Sequence, residues 1–185
     1  LKLKELKLEE RPVKSLNNGQ IKNLLKAASL YPAIKIRIIL ALGTGLRRGD
    51  IDTLKISDID FERNSITTTS RKTKKSMASR PVSVGIMGLL SKYVRDFDVS
   101  QEKLFKTKFN YRIWRKVCKK AGLNDLKFHD LRRTFCSLLA QNGVSTAVTQ
   151  RLLEHSSSTL TNKVYTNVDP VLRESINRLH VEQWL

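Results

Sequence analysis

Ile59-Asp60-Phe61, Ser65-Ile66-Thr67-Thr68-Thr69 and Arg80-Pro81-Val82-Ser83-Val84 are the residues that decide the fold class. They are short, rich in β-branched side chains and alternating, and Glu62-Arg63-Asn64 supplies a turn between the first two. They read as three strands of a small antiparallel sheet. Arg71, Lys72, Lys74, Lys75 and Arg80 fall within one short stretch without an acid, so the hairpin tip is basic. On either side the apolar spacing becomes helical. Asn17 or Asn18 caps a helix through Gln20, Ile21, Leu24, Leu25 and Ala28. Ile34–Leu42 is apolar on most sides and is expected to be buried; Gly43-Thr44-Gly45 stops it, and a short helix with Asp50, Ile51 and Leu54 follows. Downstream, helical spacing runs through Ile86–Val94, Asn110–Ala121, Leu131–Gln141, Ala147–Leu153 and Val171–Leu179. The expected class is α+β, mainly helical with a small three-stranded antiparallel sheet.

The chain has 185 residues, the size of one domain or two small ones, and its 40% hydrophobic content suffices for a core. Ile38-Ile39-Leu40-Ala41-Leu42 is the longest clean apolar run, far short of the ~20 residues a membrane-spanning helix needs. Cys118 and Cys136 are the only cysteines, which suits reduced thiols in an intracellular protein better than an exported disulfide scaffold. Neither lies in a Cys-x-x-Cys pair and no His-Glu-x-x-His occurs, so no metal site is expected. Residues 1–15, with Arg11-Pro12 breaking any helix and no signal-peptide layout, read as a linker or arm before a domain over 16–185. The missing initiator Met leads us to expect a fragment of a longer protein.

Lys and Arg number 35 against 17 Asp and Glu, a formal charge of +18. Such an excess repels itself unless a polyanion neutralises it. Beside the hairpin tip, Lys103, Lys106, Lys108, Arg112, Arg115, Lys116, Lys119 and Lys120 form a second acid-free segment. Either block alone reads as a solvated face; two in one domain point to the phosphate backbone of a nucleic acid. Aromatic residues are only 6%, too few for a protein that chiefly stacks single-stranded bases.

Three patches carry the chemistry. Thr44-Gly45-Leu46-Arg47-Arg48-Gly49-Asp50 sets Arg47 at a helix start, where free amides favour an anion, with Asp50 three residues on to pair with it. His129-Asp130-Leu131-Arg132-Arg133-Thr134-Phe135 opens another helix. There His129 and Arg132 share a face, opposite Leu131, Phe135, Leu138 and Leu139. Leu152-Leu153-Glu154-His155 is followed by Tyr165-Thr166-Asn167. Singly, these are also what a glycine turn, a structural cap and a packed tyrosine look like.

Together, and across nearly the whole chain, the patches resemble the tyrosine recombinase (phage integrase) family. Its order is an Arg in a Thr-Gly-x-Arg turn, a hairpin Lys, His-x-x-Arg, a His after a Leu-rich helix, then a nucleophilic Tyr. These types fall here at Arg47, Lys72, His129 with Arg132, His155 and Tyr165. Lys74 and Lys75 share the hairpin tip with Lys72. The sequence departs from the pattern in four places. Asp50 stands for the usual Glu and Glu154 for Gly; Asn167 replaces a frequent His, and Tyr165 follows His155 by one residue more than usual.

The residues also make sense as chemistry. A phosphodiester under attack becomes a pentacoordinate dianion, and Arg47 and Arg132 can each clamp non-bridging oxygens. Tyr165 is the nucleophile, and His129 a base or orienting group for a phenol with reference pKa near ~10. The resemblance implies that Lys72 protonates the departing 5′-oxygen and that His155 hydrogen-bonds the phosphate. Bond energy is kept in the phosphotyrosyl link, so strand exchange needs no ATP, metal or other cofactor.

The resemblance further implies site-specific cutting and rejoining of duplex DNA by four protomers on paired sites, in the cytoplasm and nucleoid of a prokaryote or on a phage or mobile element. Arg71, Lys74, Lys75, Arg112, Arg115, Lys116 and Arg133 are the expected DNA contacts. It implies too that an N-terminal DNA-binding domain is absent from this chain. A tail helix over about residues 171–185 would then dock on a neighbouring protomer or pack on its own domain. The alternatives are a DNA-binding module of the same fold without chemistry, and a nicking-closing enzyme like the type IB topoisomerases.

Overall fold

Asn17 starts the first helix by a reciprocal cap: its Oδ1 accepts from the Gln20 amide at 2.9 Å, and Gln20 Oε1 accepts from the Asn17 amide at 3.0 Å. The computed structural model describes residues 15–69, 77–96, 102–154 and 165–184. Helix α1 (Asn18–Ala27) buries Ile21, Leu24, Leu25 and Ala27. Helix α2 (Pro32–Thr44) has Pro in its first turn, where no intrahelical donor is lost, and is buried along nearly its whole length as expected. Arg37 is its buried charged residue. Helix α3 (Arg48–Asp52) follows after Gly45, which closes α2 in the left-handed conformation at φ 64°.

The sheet is β1 (Ile59–Asp60), β2 (Ser65–Thr69) and β3 (Met77–Pro81), antiparallel in chain order. Ile66 is the centre of the register, facing Ile59 on one side and Arg80 on the other. Asp60 Oδ1 accepts from the Arg63 amide at 2.8 Å and Asn64 takes φ 48°, which builds the turn between β1 and β2. The third strand lies earlier than its alternation indicates. Met77–Ser79 complete the ladder opposite Thr67–Thr69, whereas Val84 opens α4 (Val84–Asp96). An antiparallel ladder recruits whatever residues lie opposite, so unremarkable Met-Ala-Ser is drafted into the strand.

Helix α5 (Tyr111–Lys120) is capped by Asn110, whose Oδ1 accepts from the Arg112 and Ile113 amides. Helix α6 (Phe128–Gln141) buries Leu131, Phe135, Leu138 and Leu139 as its spacing predicts, and packs along α2. Thr134 on α6 accepts from the Leu16 amide at 3.0 Å, fastening the segment before α1. Helices α7 (Thr146–Glu154) and α8 (Tyr165–Asn177) pack on one another, and α8 also lies on β3.

Helix α8 begins six residues before the position its apolar spacing indicates. Pro170 lies inside it. The helix ends at Asn177 and a 3₁₀ turn, Val181–Gln183, follows, so the tail is not helical through to residue 185. Leu172, Ile176, Leu179, Val181 and Trp184 join the same core as α2 and α6. Over this length the tail packs on its own domain. No helix among the described residues is long and apolar enough to cross a membrane.

Candidate active site

Gly45 is the pivot. A Cβ there would lie 2.6 Å from the Phe135 ring of α6 and 2.9 Å from Leu153 of α7, so the turn is pressed between two helices. Thr44 Oγ1 donates to Leu40 O at 2.6 Å and accepts from the Leu46 amide at 3.2 Å, and Leu46 is buried. The next residue, Arg47, is thereby brought to the surface immediately before α3. Helix α3 has only five residues, so the dipole expected to favour an anion there is small.

Arg132, on the second turn of α6, reaches the same turn. Its Nη1 donates to Gly45 O at 2.5 Å and its Nη2 to Leu153 O at 3.3 Å, which joins α6, the Gly45 turn and the end of α7. The half-buried guanidinium is held below the usual arginine range, chiefly by burial and next by the positive charge of Arg47. Residues 85 positions apart in the chain therefore share one electrostatic site. His129 is exposed on the first turn of α6, one turn before Arg132.

Asp50 behaves differently from its expected pairing. Among the described residues no ion pair joins it to Arg47; its charge acts instead on Arg132 and Arg80. The orientation of α3 comes from a separate network. Asp52 Oδ1 accepts from Arg37 Nε at 2.9 Å and Asp52 Oδ2 from Arg48 Nη1 at 2.7 Å, tying α3 to α2. Arg37 is only 1% exposed and employs each of its nitrogens, with Nη1 on Ala33 O, Nη2 on Thr107 O and the guanidinium 3.8 Å from the Phe105 ring centroid.

Sequence reasoning placed Arg80 only in the basic hairpin and its closing strand. The structure buries it to 3% exposure on β3, with no hydrogen-bond partner for Nε or Nη1. Burial first and the Arg132 charge second push it down to about 10, Asp50 opposing and Arg47 reinforcing the shift. Alternation did not mark it: residues 80–83 are buried without a break, and the strand ends at Pro81.

Lys72, His155, Arg71, Lys74 and Lys75 lie outside the described residues. Of Tyr165, the backbone position at the start of α8 is described, on the helix that packs against β3 and α7. Arg112, Arg115 and Lys116 are exposed on α5, opposite buried Trp114, Val117 and Cys118. Arg133 is half-exposed and pairs with Asp130 at 3.0 Å, so part of its charge is already answered. No group of three or more His, Cys, Asp or Glu side chains suited to hold a metal occurs among the described residues.

The family model for the phage integrase family matches residues 14–171, and the chain belongs to that family. A tyrosine recombinase XerA of Saccharolobus solfataricus is 32% identical over 164 residues, covering 88% of this chain and 55% of that protein. The integrase of mycobacterium phage Brujita superposes with TM-score 0.71 at 24% identity, over 92% of this chain and 60% of that one. A lambda integrase, solved as a tetramer bound to a Holliday junction, superposes with TM-score 0.58 at 21% identity, over 80% of this chain and 46% of that one. The chain spans between 55% and 66% of the length of the XerC-like and XerA relatives.

Proposed function

We propose that this chain carries the strand-cutting and rejoining activity of a site-specific DNA recombinase, with Tyr165 as nucleophile. The observation that carries this reading is the meeting of Arg132 with the Gly45–Arg47 turn, through the 2.5 Å bond to Gly45 O. Two guanidinium groups held at one place stabilise a phosphorane dianion better than any neutral site, because the charge they answer grows in the transition state.

In the proposed step, Tyr165 Oη attacks phosphorus and gives its proton to His129. The bond from phosphorus to the 5′-oxygen breaks, and that oxygen takes a proton from Lys72. His155 donates a hydrogen bond to the phosphate. The 3′-phosphotyrosyl link conserves the bond energy, and attack by a 5′-hydroxyl reverses the step on the same or another strand. Asp50 limits the repulsion among the arginines. The +18 charge and the exposed Arg112, Arg115 and Lys116 suit duplex DNA as the substrate. A tetramer on paired sites follows by analogy with the lambda integrase assembly. The place of action is then the nucleoid of a prokaryotic cell.

The test is a suicide duplex, nicked beside the scissile phosphate and built on a site recovered by DNA pull-down and sequencing. A covalent protein–DNA adduct that disappears in Tyr165→Phe is the expected result. An adduct of wild-type yield in that variant would remove Tyr165 from the chemistry. Salt-sensitive binding with no adduct would leave a DNA-binding module.

A further inference from the structure

The two arginines buried among the described residues are treated in opposite ways. Arg37 has an acid, two carbonyl oxygens and an aromatic face, so each nitrogen is engaged. Arg80 is as thoroughly buried, yet Nε and Nη1 donate to nothing. A buried donor without an acceptor is costly, and for a charged donor more so. The neighbours increase the cost, since among the described residues the charges that reach Arg80 are those of Arg132 and Arg47, with Asp50 opposing.

The balance is uneven: among the described residues three guanidinium groups act on one another and one carboxylate, Asp50, opposes them. A tetrahedral oxyanion would answer the surplus and accept from the open Arg80 nitrogens. Strand β3, which carries Arg80, is the strand on which α8 lies, the helix opened by Tyr165, and the charges of Arg132 and Arg47 reach Arg80 there.

We infer that Arg80 is a third anion ligand of this site, binding the oxygens of the same phosphate as Arg47 and Arg132. This rests on the recombinase reading for the identity of the phosphate, but the anion site itself does not need it. Arg80 approaches from within the fold, beneath the surface that DNA meets, so it contributes to the phosphate and not to base recognition. In the free protein it is a destabilising residue, held in place by the strand that carries it.

Thermal unfolding of the full chain, in inorganic phosphate against chloride at equal ionic strength, tests the inference. Wild type should be stabilised by phosphate beyond chloride, and Arg80→Met should weaken the apparent phosphate affinity about tenfold, the scale of one charge-assisted hydrogen bond. Arg80→Met should also unfold at no lower temperature than wild type in chloride. A phosphate response equal to that of chloride in wild type, or unchanged in Arg80→Met, would overturn the assignment. If Arg80→Met gives no cooperative transition, Arg80→Lys, which keeps the charge and loses the fork, is read instead: a weaker response than wild type supports the assignment and an equal one refutes it. The suicide duplex separates the two claims. Phosphate bound through Arg80 with no adduct retains this inference and loses the recombinase, whereas wild-type adduct yield in Arg80→Met does the reverse.

Discussion

Cys118 lies with Trp114 and Val117 on the inner side of α5, and burial pushes its thiol up to about 12. Cys136, one turn after Arg132, is also raised by burial, and its Sγ donates to Arg132 O at 3.2 Å. Neither thiol is set up as a nucleophile. A thiol whose folded pKa exceeds its unfolded value of about 8.5 adds stability that is complete below that pH and is lost as pH rises toward the folded value. The difference in urea stability between wild type and Cys118→Ala should therefore narrow from pH 8 to pH 10, with no alkylation of Cys118 at pH 8 before unfolding. An unchanged difference at the two pH values would show that the thiol ionises alike in both states. Asp50 also belongs to this scale. Its spacing from Arg47 reads as a pair, but three residues in a helix of five place its charge toward Arg132 and Arg80, which no local count reveals.

Between elements, the Gly45 turn is where α2, α3, α6 and α7 meet. Only glycine combines φ 64° with a ring carbon of Phe135 2.6 Å from where a Cβ would stand. Gly45→Ala should cost at least about 2 kcal/mol, from left-handed strain together with overpacking, measured by urea unfolding. Its cleavage rate should fall further than its stability, because the displaced carbonyl is the acceptor of Arg132 Nη1. A variant as stable and active as wild type would mean that the turn has freedom to shift. The sequence marked this place through Gly43-Thr44-Gly45 as a stop. It did not mark the pressure from Phe135, which lies 90 residues away.

At the scale of the molecule, the charge excess bears on the proposed binding of DNA. Each lysine or arginine that contacts a phosphate releases counterions, and its neutralisation lowers the slope of log affinity against log salt by about 1. Arg112→Gln, Arg115→Gln and Lys116→Gln together should lower that slope by about 3 in anisotropy titrations with duplex DNA. An unchanged slope would place α5 away from the duplex. Arg133 should contribute less than any of these, since Asp130 already holds it.

The helical class, the three-stranded sheet and the inner face of α6 were legible from the sequence, because they depend on periodicity and caps that act over a few neighbours. The offset of β3, the passage of α8 through Pro170, the tail packing on its own domain, and the opposite treatment of Arg37 and Arg80 were decided by tertiary structure alone. Each depends on which distant atoms lie opposite: a ladder partner, a helix beneath, a carbonyl or an acid within hydrogen-bond reach. Distances of that kind are properties of the folded packing, and a linear pattern of residues carries no measure of them.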